Sequence, residues 1–201
     1  MCAFCGQINE KNICRECLNK IEKYEKAGIQ KYTNKNFDLH IYLFRYEEPI
    51  REKIIEYKFK NKPYYYKTFA KILINNKKIY DILKSYDIIT SVPLSKTRKK
   101  ERGYNQTELI AKELSKNIKT LKYISLLEKV KNTVPQRTLN KEQRLKNLEN
   151  AYKLKQKTNI ENKKIIIFDD VFTTGTTANE CAKIIKTIGK NKISILTIAK
   201  D

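Results

Sequence analysis

From position 86 onward the chain alternates between short oily runs and stretches whose apolar residues recur every three or four positions. "YDIITSVPL" (86–94), "KYISLLEKV" (122–130), "KKIIIFDD" (163–170) and "KISILTIA" (192–199) have strand length and strand composition. Between them, "NQTELIAKELSKNI" (105–118) and the segment from Thr177 to Ile188 carry the period of helices with one buried face. Strands separated by helices pair in parallel through right-handed crossovers, so the pattern predicts an α/β fold with a mostly parallel sheet flanked by helices. Ahead of this region, "HIYLFRY" (40–46) alternates like a strand. "EEPIREKIIEYKF" (47–59) reads as a helix, with Glu47 and Glu48 near its positive end and Pro49 in its first turn. A second helix is predicted over 65–84, burying Phe69, Ile72, Leu73, Ile79 and Leu83, while the polar residues 18–37 read as a helix and linker.

Charge changes this picture. In 201 residues, 43 Lys and Arg face 22 Asp and Glu, a net charge of +21. A surface this positive suits polyanions such as nucleic acid, an anionic membrane or phosphorylated small molecules. The alternative is compositional, because the lysines are scattered through a chain rich in Lys, Asn and Ile. The thirteen tyrosines offer stacking surfaces for single strands, most densely between Tyr57 and Lys67, and serve equally well as core. No apolar run is long enough to span a bilayer and no hydrophobic signal core is present, so a cytoplasmic protein is expected.

Four of the five cysteines fall within the first seventeen residues, as "CAFC" (2–5) and "CREC" (14–17). Two such hooks, on Cys2, Cys5, Cys14 and Cys17, offer the four thiolates of a closed structural Zn2+ site. A disulfide pair or two redox hooks are the other readings; a reducing compartment and the paired spacing argue against them. A zinc module over 1–20, a linker or helix over 21–37 and a main domain over 38–201 follow. Cys181 shares an apolar helical face with Ala178, Ala182, Ile185 and Ile188 and reads as core, and His40 as structural or exposed.

In a parallel sheet, ligands bind beyond the carboxyl ends of the strands. After the third main strand comes "IIIFDDVFTTGTT" (165–177). Gly175 lets the backbone curl so that amides converge on an anion, the following helix adds its positive end, and Thr173, Thr174, Thr176 and Thr177 supply hydroxyls. Asp169 and Asp170 repel one another and gain a purpose if they receive hydrogen bonds from neighbouring sugar hydroxyls or act through water on Mg2+. Together these parts describe a phosphoribosyl site. The loop "SVPLSKTRKKERGYNQ" (91–106) gathers Ser95, Lys96, Arg98, Lys99, Lys100 and Arg102 as a candidate pyrophosphate or anion site, with a solvated charge run as the alternative. A long polar loop follows at 131–152.

The thirteen-residue stretch resembles the phosphoribosyl-pyrophosphate (PRPP) signature of type I phosphoribosyltransferases. That resemblance implies a type I phosphoribosyltransferase-like domain using PRPP with Mg2+, and a flexible loop at 131–152 that closes over substrate. The order of the four-cysteine hook, "EYKFK" (56–60), "RKKERGYNQ" (98–106), "VPQRTLNKEQRLKNLENAY" (134–152) and the PRPP motif is similar to that of the ComF-type (ComFC/GntX) competence proteins. By that likeness Lys58, Arg98, Arg102, Gly103, Asn105, Gln106, Gln136, Arg144 and Asn147 match motif positions; Arg137 lies beside Gln136 in the same flexible loop. The resemblance implies a role in natural transformation: handling of incoming single-stranded DNA, alongside a competence helicase or other DNA-processing proteins. A working phosphoribosyltransferase for nucleotide salvage or modification, and a non-catalytic PRPP or nucleotide sensor, are the two further readings.

Overall fold

The computed structural model describes residues 1–8, 12–132, 148–155 and 160–201. Its centre is a six-stranded sheet in the order β1-β2-β8-β7-β3-β4. The strands are β1 (Glu25–Lys31), β2 (Leu39–Arg45), β3 (Ile88–Ser91), β4 (Lys122–Tyr123), β7 (Lys164–Phe172) and β8 (Lys192–Lys200). Only β1 runs antiparallel to its neighbour; the other four pairings are parallel. The chain thus forms the mostly parallel, helix-flanked sheet expected of it. A two-stranded antiparallel ribbon of β5 (Leu127–Lys129) and β6 (Tyr152–Leu154) stands apart from this sheet.

The helices are α1 (Arg15–Glu22), α2 (Ile50–Phe59), α3 (Tyr65–Asn75), α4 (Lys77–Leu83), α5 (Lys96–Arg102), α6 (Gln106–Asn117) and α7 (Thr176–Lys186). Successive side chains of a strand point to opposite faces. In β7, Ile166 and Phe168 join a core with α2, α3 and α6, whereas Ile165 and Ile167 join a second core with Ala178, Cys181, Ala182 and Ile185 of α7. Helices α6 and α7 therefore cover opposite faces. From β3 the chain crosses through α6 to β4, and from β7 it crosses through α7 to β8 on the other side. The gap between the carboxyl ends of β3 and β7 is a topological switch point, where such sheets bind ligands.

Several predicted elements differ in detail. Residues 25–31, expected as linker, form an edge strand, and Gly28 there lies so close under the Tyr42 ring that a Cβ would collide with it. The predicted helix over 65–84 breaks at Asn76, whose side chain accepts from the Ile79 amide and starts a second helix. The run 122–130 divides into β4 and β5 because the Leu126 amide donates to Thr90 Oγ1 and turns the chain away from the sheet. The basic stretch expected as a loop after β3 is largely helical, capped by Ser95, which accepts from the Arg98 amide. Tyr57 and Tyr65, offered by the sequence as stacking surfaces, are buried. The Tyr57 hydroxyl donates to the Gln106 carbonyl and the Tyr65 hydroxyl to Glu56, which lets both phenols enter the core without losing hydrogen bonds. No helix among the described residues is long and apolar enough to cross a membrane.

Candidate functional site

The paired aspartates lie inside β7, which runs on through Val171 and Phe172 because these residues still pair with Ala199 and Lys200 of β8. Being consecutive on a strand, the two carboxylates face opposite sides of the sheet. Asp170 is buried on the α2/α6 side. Lys58 Nζ lies 2.7 Å from its Oδ1, and Gln106 Nε2 donates to its Oδ2 at 2.9 Å. Arg102 Nη1 in turn donates to Gln106 Oε1, so the amide of Gln106 is held in one orientation by a cation on one side and an anion on the other.

Asp169 is half-buried on the α7 side, near Lys129 of β5. Burial and the adjacent Asp170 carboxylate push its pKa up to about 7, more than Lys58, the Asp170 amide and Lys129 can offset. Lys129 is brought down to about 8, mainly by burial and then by the neighbouring Arg98 charge. Its ammonium lies over the Tyr152 ring at 5.3 Å. The sequence reading passed over Lys129. The visible signal was a lysine at a half-buried position of a strand whose neighbours Leu126 and Leu127 are core.

Beyond β7 the loop Thr173–Gly175 leads into α7. Gly175 holds φ +72°, a left-handed conformation, and its position leaves no room for a side chain above Phe172. Helix α7 starts with no side-chain cap, and the positive end of its dipole suits an anion. Thr173 is exposed, the Thr174 and Thr176 hydroxyls are 2.8 Å apart, and Thr176 opens the helix with Thr177 next in its first turn. Asn179 of α7 accepts from the amide and the side chain of Asn36, fixing the helix to the segment before β2. Beneath the loop, Phe172 packs on Phe37 and His40. His40 is fully buried, with Nε2 2.8 Å from Thr197 Oγ1; burial and the Lys200 charge lower its pKa to about 3. The imidazole is therefore neutral and structural.

On the β3 side, Ser95 is buried as the α5 cap, Lys96 is exposed, and Arg98 and Arg102 are half-buried. Asn105 fixes this corner by donating to the Val92 carbonyl, and Thr107 does the same through its hydroxyl. Gln136, Arg137, Arg144 and Asn147 lie outside the described residues. A cavity of about 600 Å³ opens among Asp87, Lys122, Glu161 and Lys163, at the amino ends of the strands and away from the switch point.

At the N-terminus the four thiols of Cys2, Cys5, Cys14 and Cys17 lie within 4.8 Å of one another, an arrangement that could hold one metal ion. Burial opposes charge on Cys2, but the amides of Cys5, Cys14 and Phe4 outweigh it and bring this thiol down to about 6. Burial and the neighbouring thiols push Cys17 up instead. Four thiolates cannot coexist here without a cation to offset their repulsion, which is the chemistry of a closed metal site. The hook is not an isolated appendage: Cys2, Ile13, Cys14, Cys17 and Ile21 share a core with Tyr65 and Phe69 of α3, and Thr68 donates to the Asn12 carbonyl.

These features define a parallel α/β protein with an uncapped helix start at its switch point and a four-thiol hook packed on one flank. No family model matches the chain. Over its full length the chain is 30% identical to competence protein F of Haemophilus influenzae, spanning 90% of that protein. It is 26% identical, again over its full length, to competence protein ComFC of Streptococcus pneumoniae, of which it spans 87%. The DNA utilization protein YhgH of Escherichia coli is 30% identical over 57% of this chain and 49% of its own length. Among solved structures, an adenine phosphoribosyltransferase from Thermoanaerobacter pseudethanolicus overlaps 65% of this chain and 84% of its own, at 15% identity and a TM-score of 0.36. The chain belongs to the competence protein F family.

Proposed function

We propose that this protein serves natural competence in the cytoplasm by handling incoming single-stranded DNA, and that its switch-point pocket binds PRPP or a related phosphoribosyl ligand together with Mg2+. The reading combines family membership with the net charge of +21, which suits a phosphate backbone. The observation that carries the pocket is the left-handed Gly175 just beyond the end of β7, which leads into the start of α7, a helix with no side-chain cap, in the same strand–loop–helix unit as the two aspartates. In this reading the Thr173–Thr177 loop takes the phosphate. Asp170, oriented by Lys58 and Gln106, faces the sugar hydroxyls from one side of the sheet, and Asp169 lends charge from the other. Ser95, Lys96, Arg98 and Arg102 approach from the β3 side as the pyrophosphate-binding group, and Gln136, Arg137 and Arg144 belong to a loop that closes over the ligand. Residues 1–20 form a zinc module and 38–201 the phosphoribosyltransferase-like domain, with a competence helicase or another DNA-processing protein as partner.

The test joins pocket to process. Cells carrying Asp169→Asn with Asp170→Asn are expected to lose transformation, and the purified double variant to lose PRPP binding in calorimetry. Normal transformation together with unchanged PRPP affinity would discard the reading. Affinity for single strands is expected to fall steeply with salt, since each phosphate contact releases counterions.

A further inference from the structure

Phe59, the last residue of α2, is 61% exposed, the most exposed aromatic among the described residues. Its neighbours on the same segment behave differently: Tyr57 and Tyr65 are buried. One side of the Phe59 ring is covered by the Arg102 guanidinium, whose central carbon lies 5.1 Å from the ring centroid. From there contacts run from Arg102 to Gln106, from Gln106 to Asp170 and from Asp170 to Lys58, the residue joined to Phe59 by a peptide bond. Five residues from α2, α5, α6 and β7 thus close a ring, and Phe59 is its outward-facing member.

The chain just beyond is held as firmly. The buried Glu56 carboxylate accepts from Lys60 Nζ at 3.1 Å, Lys62 Nζ at 2.8 Å and the Tyr65 hydroxyl at 2.7 Å, with Lys53 Nζ at 3.5 Å. One anion among three lysines leaves this surface positive. A rigid aromatic face, backed by a guanidinium and rimmed by ammonium groups, matches the π-face and phosphate of a nucleotide.

We propose that Phe59, backed by Arg102, is the stacking surface for the nucleobase of a nucleoside 5′-phosphate whose sugar lies over Asp170 and whose phosphate lies in the Thr173–Thr177 loop. The proposal rests on the phosphoribosyl reading of that pocket and narrows it: the ligand carries a base.

The experiment is calorimetric titration of the full-length protein with PRPP, which has no base, and with adenosine 5′-monophosphate, which has one and keeps both ribose hydroxyls. A 5′-phosphorylated oligodeoxynucleotide and its 5′-hydroxyl counterpart are titrated in parallel. Phe59→Ala is expected to weaken the base-carrying ligand by about tenfold or more, the usual effect of losing one stacked base, while PRPP affinity stays as in wild type. The chain contains no tryptophan. Phe59→Trp therefore supplies a single indole, excited selectively beyond the tyrosine absorption, that is expected to keep wild-type affinity and to be quenched on nucleotide binding. Selective loss for the free monophosphate assigns the unit to a free nucleotide, and selective loss for the phosphorylated strand assigns it to a strand end; either supports the proposal. Wild-type protein that binds PRPP but no base-carrying ligand, or Phe59→Ala that alters neither ligand or both alike, overturns the stacking role and leaves the pocket standing. Failure of wild type to bind any of the ligands overturns both.

Discussion

The imidazole of His40 stacks on the ring of Phe172, with centroids 3.8 Å apart and planes 18° from parallel, and that ring fills the space directly under Gly175. The Thr173–Gly175 loop thus rests on an aromatic stack inside the second core, and its curvature is fixed from below. A Cβ at Gly175 would meet a Phe172 ring carbon at 2.5 Å, and φ of +72° is a conformation side chains rarely adopt. Phe172 cannot retreat easily because His40 and Phe37 also pack on it. Gly175→Ala is therefore expected to cost about 2 kcal/mol or more from backbone strain plus collision. The check is a denaturant melt with PRPP calorimetry: a lower midpoint and at least tenfold weaker binding are expected.

Asp169 gives the unliganded protein a definite pH dependence. Its carboxyl is raised from 3.8 to about 7 by burial and by Asp170, so between those values the fold prefers it protonated while the unfolded chain ionises it. Stability from this group is fully present below about pH 4 and is lost as pH rises through 7. Asp169→Asn removes the loss. In metal-free buffer the variant is expected to match wild type near pH 4, gain on it steadily up to pH 7, and melt several degrees higher above pH 8, where roughly 1 kcal/mol moves a chain of this size by 2–4 °C. Parallel melting curves for the two proteins across this range would refute the shift.

The four-thiol hook is a test of metal dependence. Cys2 and Cys17 are buried against α3, and Cys5 is exposed. Stripping the metal leaves four thiols within 4.8 Å of each other around nothing that binds them. Natively purified protein is expected to carry one zinc ion, and a strong chelator to lower its melting temperature and speed hydrogen exchange at the Cys2 and Leu18 amides, which donate to the Gln7 and Cys14 carbonyls. Cys5→Ser should weaken the metal with little direct loss of packing, because Cys5 is the exposed member of the cluster. Full stability after complete zinc removal would show the hook to be dispensable.

What the sequence disclosed was what neighbouring residues carry among themselves. The thirteen residues from 165 to 177 and the two cysteine hooks are contiguous patterns, and the structure gathers the hooks into one cluster and puts the glycine bend at a strand end. The facing of the acids followed only from knowing that β7 extends past them, because a strand ending at Asp170 leaves both free to turn. Lys58 and Gln106 reach Asp170 across 112 and 64 positions of chain, and no local pattern records such distances. Residues 25–31 were unreadable as a strand because a bulge between Glu25 and Gly28 breaks the alternation and the half-buried positions include Glu25, Gly28 and Gln30 in place of oily side chains. The tyrosines misled because burial of a phenol depends on a distant carbonyl or carboxylate to take its hydrogen bond.

The Lys58–Asp170 pair decides whether the ring of contacts behind Phe59 is a rigid device. Both side chains are largely withdrawn from water, with 16% and 7% exposed, and they meet at 2.7 Å. Lys58→Met keeps most of the packing and strands the Asp170 carboxylate with Gln106 as its remaining side-chain partner, which should cost about 3 kcal/mol. Asp170→Asn strands the ammonium less severely, since the Lys58 stem can carry its charge toward solvent. If the two residues act as a unit, the combined variant is expected to be more stable than Lys58→Met alone, with a coupling energy of about 1–3 kcal/mol from the double-mutant cycle. Denaturant midpoints of the four proteins supply the measurement. Strict additivity would mean that Asp170 is held by Gln106 and Arg102 alone, and Phe59 would then lose its mechanical tie to the acid through α2. A coupling in the expected range, by contrast, ties the position of the exposed ring to the Asp170 carboxylate.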